Sequence, residues 1–127
     1  MTTVAETNRL ILRRFDILDA QAFYKLNANT KVLKYTGDKA FKDVHEAEKF
    51  IREYDEYLKN DFGRWTVVNK RLNEVVGWCG LKQNEEKQID LGFRFFEEEW
   101  GKGFATESAN AALDLGFKKY KLKEVIG

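Results

Sequence analysis

Apolar and polar positions alternate along residues 8 to 15, NRLILRRF, with Leu10 and Leu12 on one face and Ile11 and Arg13 on the other. A period of two predicts a strand, and Asp16 stops it. From Asp16 to Asn27 the period lengthens: Asp16 and Asp19 have the spacing of a capping box, and Ala20, Phe23, Tyr24 and Leu26 recur near helical spacing. This predicts a helix of about three turns. The link KVLKYTGDKAF ends in a turn around Gly37-Asp38, after which Asp43 and Glu46 again have N-terminal capping spacing. They open a second predicted helix with the stripe Ala47, Phe50, Ile51, Tyr54 and Leu58, closed by Asn60-Asp61-Phe62-Gly63.

At Arg64 the period returns to two. Trp65 and Val67 oppose Thr66 and Val68, a turn spans Asn69 to Asn73, and Val75 to Leu81 form the return strand of a hairpin. A polar turn leads to a third meander strand, Ile89 to Phe95. Residues 104 to 120 are helical in period, with Phe104, Ala105, Ser108, Ala112, Leu115 and either Phe117 or Tyr120 facing inward, and Leu122 to Ile126 read as a short strand. The order β-α-α-β-β-β-α-β brings the Leu122 strand parallel to the Ile89 strand through a helical crossover. The expected class is α/β (α+β), a mixed, mostly antiparallel sheet with flanking helices, in one domain over residues 1–127.

Composition narrows the function classes. In 127 residues, 43% hydrophobic and 14% aromatic content suffices for one core. The 22 basic and 21 acidic side chains nearly cancel to a net +1, which leaves no overall field to draw in nucleic acid. Cys79 is the single cysteine, and the N-terminal residues show neither the basic nor the apolar region of a signal peptide, so the expected location is cytoplasmic. No apolar run approaches the roughly 20 residues of a membrane span, so no membrane partner is expected. With no proline, turns must be built from Gly, Asn and Asp.

Candidate chemistry concentrates at Trp100-Gly101-Lys102-Gly103-Phe104-Ala105-Thr106-Glu107, between a strand and an amphipathic helix. Glycines remove Cβ atoms where backbone must approach something closely, and successive free N–H groups at a helix N-terminus attract anions. A phosphate-bearing ligand fits this pattern; on spacing alone, so does a plain Gly-rich turn. The longer stretch QIDLGFRFFEEEWGKGFATESANAALDLGF resembles the acetyl-CoA-binding segment of the GNAT superfamily, in particular its ribosomal-protein N-terminal acetyltransferase branch. In the family's Arg/Gln-x-x-Gly-x-Gly/Ala pattern, Trp100 takes the first position, Gly103 the fourth and Ala105 the sixth. NRLILRRF, NANTKVLKYTG and NEVVGWCGL extend the likeness upstream. Arg14-Phe15 and Phe96-Glu97 stand where the branch often carries proline. The resemblance further implies that the chain stops before the last helix and two strands of that fold.

The resemblance implies an N-acetyltransferase that moves an acetyl group from acetyl-CoA, its cosubstrate, to a primary amine on a protein N-terminus or small molecule, without a metal. It assigns the pantetheine arm to the strand around Phe93, Arg94 and Phe95. The pyrophosphate falls to Trp100, Gly101, Lys102, Gly103, Phe104, Ala105 and Thr106, and an N–H near Phe93 or Arg94 faces the thioester oxygen. Asp90 is the candidate base, and Tyr35 and Thr36 fall in the acceptor region. Glu107 is read as structural, His45 as a cap or surface residue, and Cys79 as a small core residue. The open edge of the Leu122 strand suggests a homodimer. Beside the active enzyme stand two alternatives: a non-catalytic CoA-binding remnant, and part of a longer acetyltransferase.

Overall fold

The computed structural model describes residues 1–29, 31 and 40–127. Strand β1, Thr3–Glu6, is followed by β2, Leu10–Arg13, a 3-10 turn, Ile17–Asp19, and helix α1, Ala20–Ala28. Helices α2, Val44–Glu53, and α3, Glu56–Asn60, precede the meander of β3, Arg64–Asn69, β4, Glu74–Gln83, and β5, Ile89–Phe95. A second 3-10 turn, Glu97–Glu99, leads into α4, Phe104–Lys118. The five strands lie in sequence order, each antiparallel to the next. This is the mixed α/β architecture expected, a mostly antiparallel sheet with flanking helices.

Strand alternation divides the core in two. Leu10, Leu12, Trp65, Val67, Cys79, Leu81 and Phe95 point toward α4, where Phe104 and Ala112 meet them. On the other face α1 and α2 pack through Ala20, Phe23, Ala47 and Ile51, with Phe15, Phe41 and Trp78 around them. Complete burial of a Leu- or Val-sized side chain is worth roughly 1.5–3 kcal/mol, so the α4 face is the larger apolar contribution. Tyr120, two residues past the end of α4, and not Phe117 completes this inward side: Tyr120 stacks on Trp65 at 6.4 Å, and Phe117 is exposed.

Both capping signals form. Asp16 accepts from the Leu18 amide and Asp19 accepts from the Asp16 amide at 2.9 Å, while Asp43 accepts from the Glu46 amide. Three features differ from the periodic reading. β1 is an added edge strand whose four residues, TVAE, are too few to display alternation. The helix expected through Leu58 breaks at Tyr54, and Leu58 is 89% exposed. The break lets two phenols grip one backbone unit: Tyr54 Oη accepts from the Arg64 amide at 2.7 Å, and Tyr57 Oη donates to the Arg64 carbonyl. Finally, Leu122 to Ile126 contribute one parallel bridge, Ile126 to Asp90, through bonds of 2.7 and 2.8 Å to Leu91 and Ile89. The link over residues 32–39, including the Gly37-Asp38 turn, Tyr35 and Thr36, lies outside the described residues.

A buried polar group ties α1 to the sheet. The Asp19 carboxylate, 2% exposed, receives the Arg13 guanidinium at 2.8 and 2.9 Å and the Thr66 hydroxyl at 2.7 Å. Buried charge is tolerated only when matched in this way. Asp19→Ala strands the Arg13 charge and is expected to destabilise the fold by about 3 to 5 kcal/mol, read from urea denaturation followed by circular dichroism.

Candidate functional site

Two cavities meet at β5 because its side chains alternate between the faces of the sheet. The first, of about 590 Å³, lies on the α4 side and is lined by Phe93, Arg94 and Phe95 together with the loop and first turn around Trp100, Gly103 and Ala105. The second, of about 600 Å³, lies on the α1–α2 side and includes Asp90, Gly92, Phe93 and Arg94. Phe93 and Arg94 line both.

The loop obtains its shape from two glycines in the left-handed region, Gly101 at φ +81° and Gly103 at φ +83°. Any other residue would be strained there. A Cβ on Gly101 would project into open space, and Gly103 caps α4 without a side-chain hydrogen bond. The first-turn amides of Phe104, Ala105 and Thr106 have no acceptor within the helix. They point out of the N-terminus, the positive end of the helix dipole, beside the first cavity. Trp100 anchors the loop by donating from Nε1 to the Phe95 carbonyl at 3.0 Å.

Of the residues expected to hold a cofactor, Phe93, Arg94, Phe95, Trp100, Gly101, Gly103, Phe104, Ala105 and Thr106 line the first cavity. Lys102 does not: its ammonium pairs with Glu99 at 3.1 Å and its carbonyl accepts from Arg9 at 2.9 Å. Glu99 lines the cavity in its place. Glu107 turns away from the cavity and fastens the start of α4 to the β1–β2 turn. It accepts from the Thr7 hydroxyl at 2.5 Å, the Arg9 amide at 3.0 Å and Arg9 Nε at 2.7 Å. Partial burial works to raise its carboxyl pKa, but these donors outweigh it and hold the group below the ordinary carboxylate value. On the opposite side of the loop, Glu97 accepts from Asn29 and Lys31, both at 3.2 Å, which lowers its carboxyl pKa and ties α1 to the second 3-10 turn.

Backbone direction along β5 also matters. On its outer edge the Leu91 amide donates to Ile126 and the Ile89 carbonyl accepts from it, whereas the Phe96 amide donates inward to Val76. By strand alternation the Phe93 amide also faces the outer edge, and that of Arg94 faces β4. The N–H available for a ligand between the two cavities is therefore that of Phe93.

Asp90 stands on the second cavity with its side chain 39% exposed, 3.8 Å from Arg64 Nη2. Arg64 Nη1 donates to the Gly80 and Asp90 carbonyls at 2.7 and 3.1 Å. Glycine at residue 92 leaves the guanidinium room in this position, since a Cβ would sit 2.8 Å from Arg64 Nη2 and the guanidinium would have to shift. Burial pushes the Tyr54 phenol up to about 12 and raises that of Tyr57 as well, so both remain protonated clamps on the Arg64 backbone. Arg94 donates to Asn27 and lies over the Trp78 ring at 5.3 Å, with Arg64 over the same ring at 5.2 Å. Burial raises the Cys79 thiol to about 11, so it is not a ready thiolate, and His45 is an exposed partner of Glu48.

Periodicity missed Arg64, Trp78 and Asn27 as cavity residues. Alternation does place Arg64 and Trp78 opposite the α4 face, but nothing in their spacing shows that α1 leaves a cavity there. The Arg9–Glu107 pair, 98 positions apart, has no local signal.

Residues 9–127 match the family described as acetyltransferase (GNAT) domain. The chain is 30% identical over 122 residues to the uncharacterized N-acetyltransferase p20 of Bacillus licheniformis, covering 94% of this chain and 68% of p20. Its fold superposes with a TM-score of 0.78 on a GNAT-family acetyltransferase from Bacillus anthracis, at 27% identity and covering 98% and 71% of the respective chains. The fold is also shared with the spermidine N-acetyltransferase of Vibrio cholerae solved with CoA and spermine. There the TM-score is 0.76 at 24% identity, over 94% of this chain and 70% of that one.

The lowered Glu107 pKa carries a pH signature. Its stabilisation is fully present above the unfolded carboxylate pKa of about 4.3 and is lost as pH falls through the lower folded value. Glu107→Gln is therefore expected to lower the urea midpoint at pH 7, with the deficit shrinking below about pH 4.3 and vanishing at still lower pH. Paired denaturation curves across that range measure it.

Proposed function

We propose that this chain, which belongs to the GNAT acetyltransferase family, moves an acetyl group from acetyl-CoA to a primary amine by direct attack. The observation that carries the reading is the junction of two cavities at Phe93 and Arg94, one beside a helix N-terminus with outward amides and the other beside a carboxylate. The junction lets two substrates approach from opposite faces of one strand.

The residues of the first cavity suit the cosubstrate. The amides of Phe104, Ala105 and Thr106 would hold a diphosphate, the positive φ of Gly101 and Gly103 lets the backbone approach it, and the outer edge of β5 offers main-chain groups to the pantetheine arm. Acetyl-CoA supplies the activated acyl group. The Phe93 amide is placed to donate to the thioester oxygen as charge develops on it. Asp90, directly or through one water, takes the proton that the amine must lose. An α-amino group has a pKa of about 8 and a lysine of about 10.4, so this help is useful at neutral pH. The amine nitrogen bonds to the acyl carbon, the carbon–sulfur bond breaks with its electron pair on sulfur, the departing thiolate takes a proton from solvent, and an amide and the thiol of CoA leave. Within this reading we retain the likeness to the ribosomal-protein branch, carried by Trp100-Gly101-Lys102-Gly103, so a protein N-terminus belongs among the acceptor amines.

Thiol release from acetyl-CoA against a panel of free-N-terminal peptides and small amines is the direct test. At least one acceptor is expected to exceed background hydrolysis, and none doing so overturns the proposal. Asp90→Asn is expected to lower kcat by roughly 10²-fold with CoA affinity retained, the pattern of a lost base. Calorimetric CoA titration beside the kinetics separates the two effects.

A further inference from the structure

Resting on the acetyl-transfer reading above, we infer that the second cavity takes an amine carried on an aromatic or bulky apolar body, and selects against polyamines. Its wall is built from Phe15, Phe23, Phe41, Phe50, Tyr54 and Trp78. These rings already meet edge-to-face or tilted: Phe15 lies 4.9 Å from Phe23 and 4.7 Å from Tyr54, and Phe50 lies 5.7 Å from Phe41. A further ring extends such a cluster without loss, because aromatic edges and faces carry opposite partial charge. Phe50 is 42% exposed although it belongs to this cluster, and its open surface is apolar area that a guest removes from water. The size, about 600 Å³, is that of a small-molecule site rather than a packing defect.

Charge excludes the polyamine. Among the described residues lining the cavity, Asp90 is the single carboxylate, and Arg64, Lys82 and Arg94 are cationic. One ammonium can sit by Asp90 within reach of the Phe93 junction, where transfer would occur. A second or third ammonium on the same chain would find no other carboxylate in this lining. The Trp78 face, the strongest cation–π acceptor of the wall, is already covered by the guanidinium groups of Arg64 and Arg94. The cavity is thus complementary to one positive charge at the β5 end and an apolar body behind it.

Two probes of equal access but different bodies decide the matter: 2-phenylethylamine and spermidine, titrated into the CoA-saturated protein by calorimetry, so that affinity is read without turnover. Phenylethylamine is expected to bind at least tenfold more tightly, and the ratio should fall severalfold in Phe50→Ala, with circular dichroism confirming that the variant is folded, and in the milder Phe50→Leu, which keeps apolar bulk but removes the ring. Equal or tighter binding of spermidine, or a ratio unchanged by Phe50→Ala, overturns the inference. Thiol release, measured on the same protein supplied with acetyl-CoA in place of CoA, reports separately on the transfer reading. Tight phenylethylamine binding with no thiol release from acetyl-CoA, for it or for any amine of the panel, would sink that reading while supporting the cavity's selectivity.

Discussion

Asp19 is a carboxylate taken out of water, and the arrangement around it sets how the helical layer sits on the sheet. Its oxygens are shared among a guanidinium from β2, a hydroxyl from β3 and an amide from the turn that opens α1. Each donor comes from a different element, so the carboxylate is satisfied only when all of them are in register. Hydrophobic contact among Ala20, Phe23, Ala47 and Ile51 supplies attraction without direction. The buried ion pair adds the direction, and with it the position of α1 beside the aromatic cavity.

A second constraint operates at β5. A strand must give alternate side chains to opposite faces, and here that rule divides two chemistries cleanly. Ile89, Leu91 and Phe95 join the apolar core under α4, whereas Asp90, Gly92 and Arg94 face the cavity under α1 and α2. Gly92 has no side chain to give, and the space it leaves is filled by Arg64 reaching across from β3. The backbone of Arg64 is in turn gripped by Tyr54 and Tyr57, whose phenols burial keeps protonated. The break between α2 and α3, which spoils an otherwise regular apolar stripe, is the geometric condition for that grip.

On the opposite face the N-terminal end of α4 is held from both sides. Glu107 and Arg9 clip the first turn to the β1–β2 connection, and Glu97 fastens the preceding turn to the end of α1. Neither carboxylate points its charge into the first cavity's loop; Glu99, which does line the cavity, is paired with Lys102, and the outward amides of Phe104 to Thr106 stand beside it. Glu107 would repel a phosphate were its side chain turned toward the cavity, and its engagement by Thr7 and Arg9 prevents this.

Several features were legible in the sequence because they depend on near neighbours. The meander, both helix N-caps, the α4 register and the Gly101–Gly103 loop follow from residue periods and from backbone preferences that act over a few positions. The assignment of Asp90 and Ile89 to opposite faces is likewise local. Tertiary structure alone decided the rest. It broke the helix at Tyr54 to satisfy Arg64, paired the four-residue β1 with β2, and gave Lys102 to Glu99 rather than to the cavity. It also brought Arg9 to Glu107 across 98 positions and opened an aromatic cavity behind Asp90. The physical reason is common to all of these: a period reports which way a side chain points, whereas a partner or a void depends on what other segments bring to the same place.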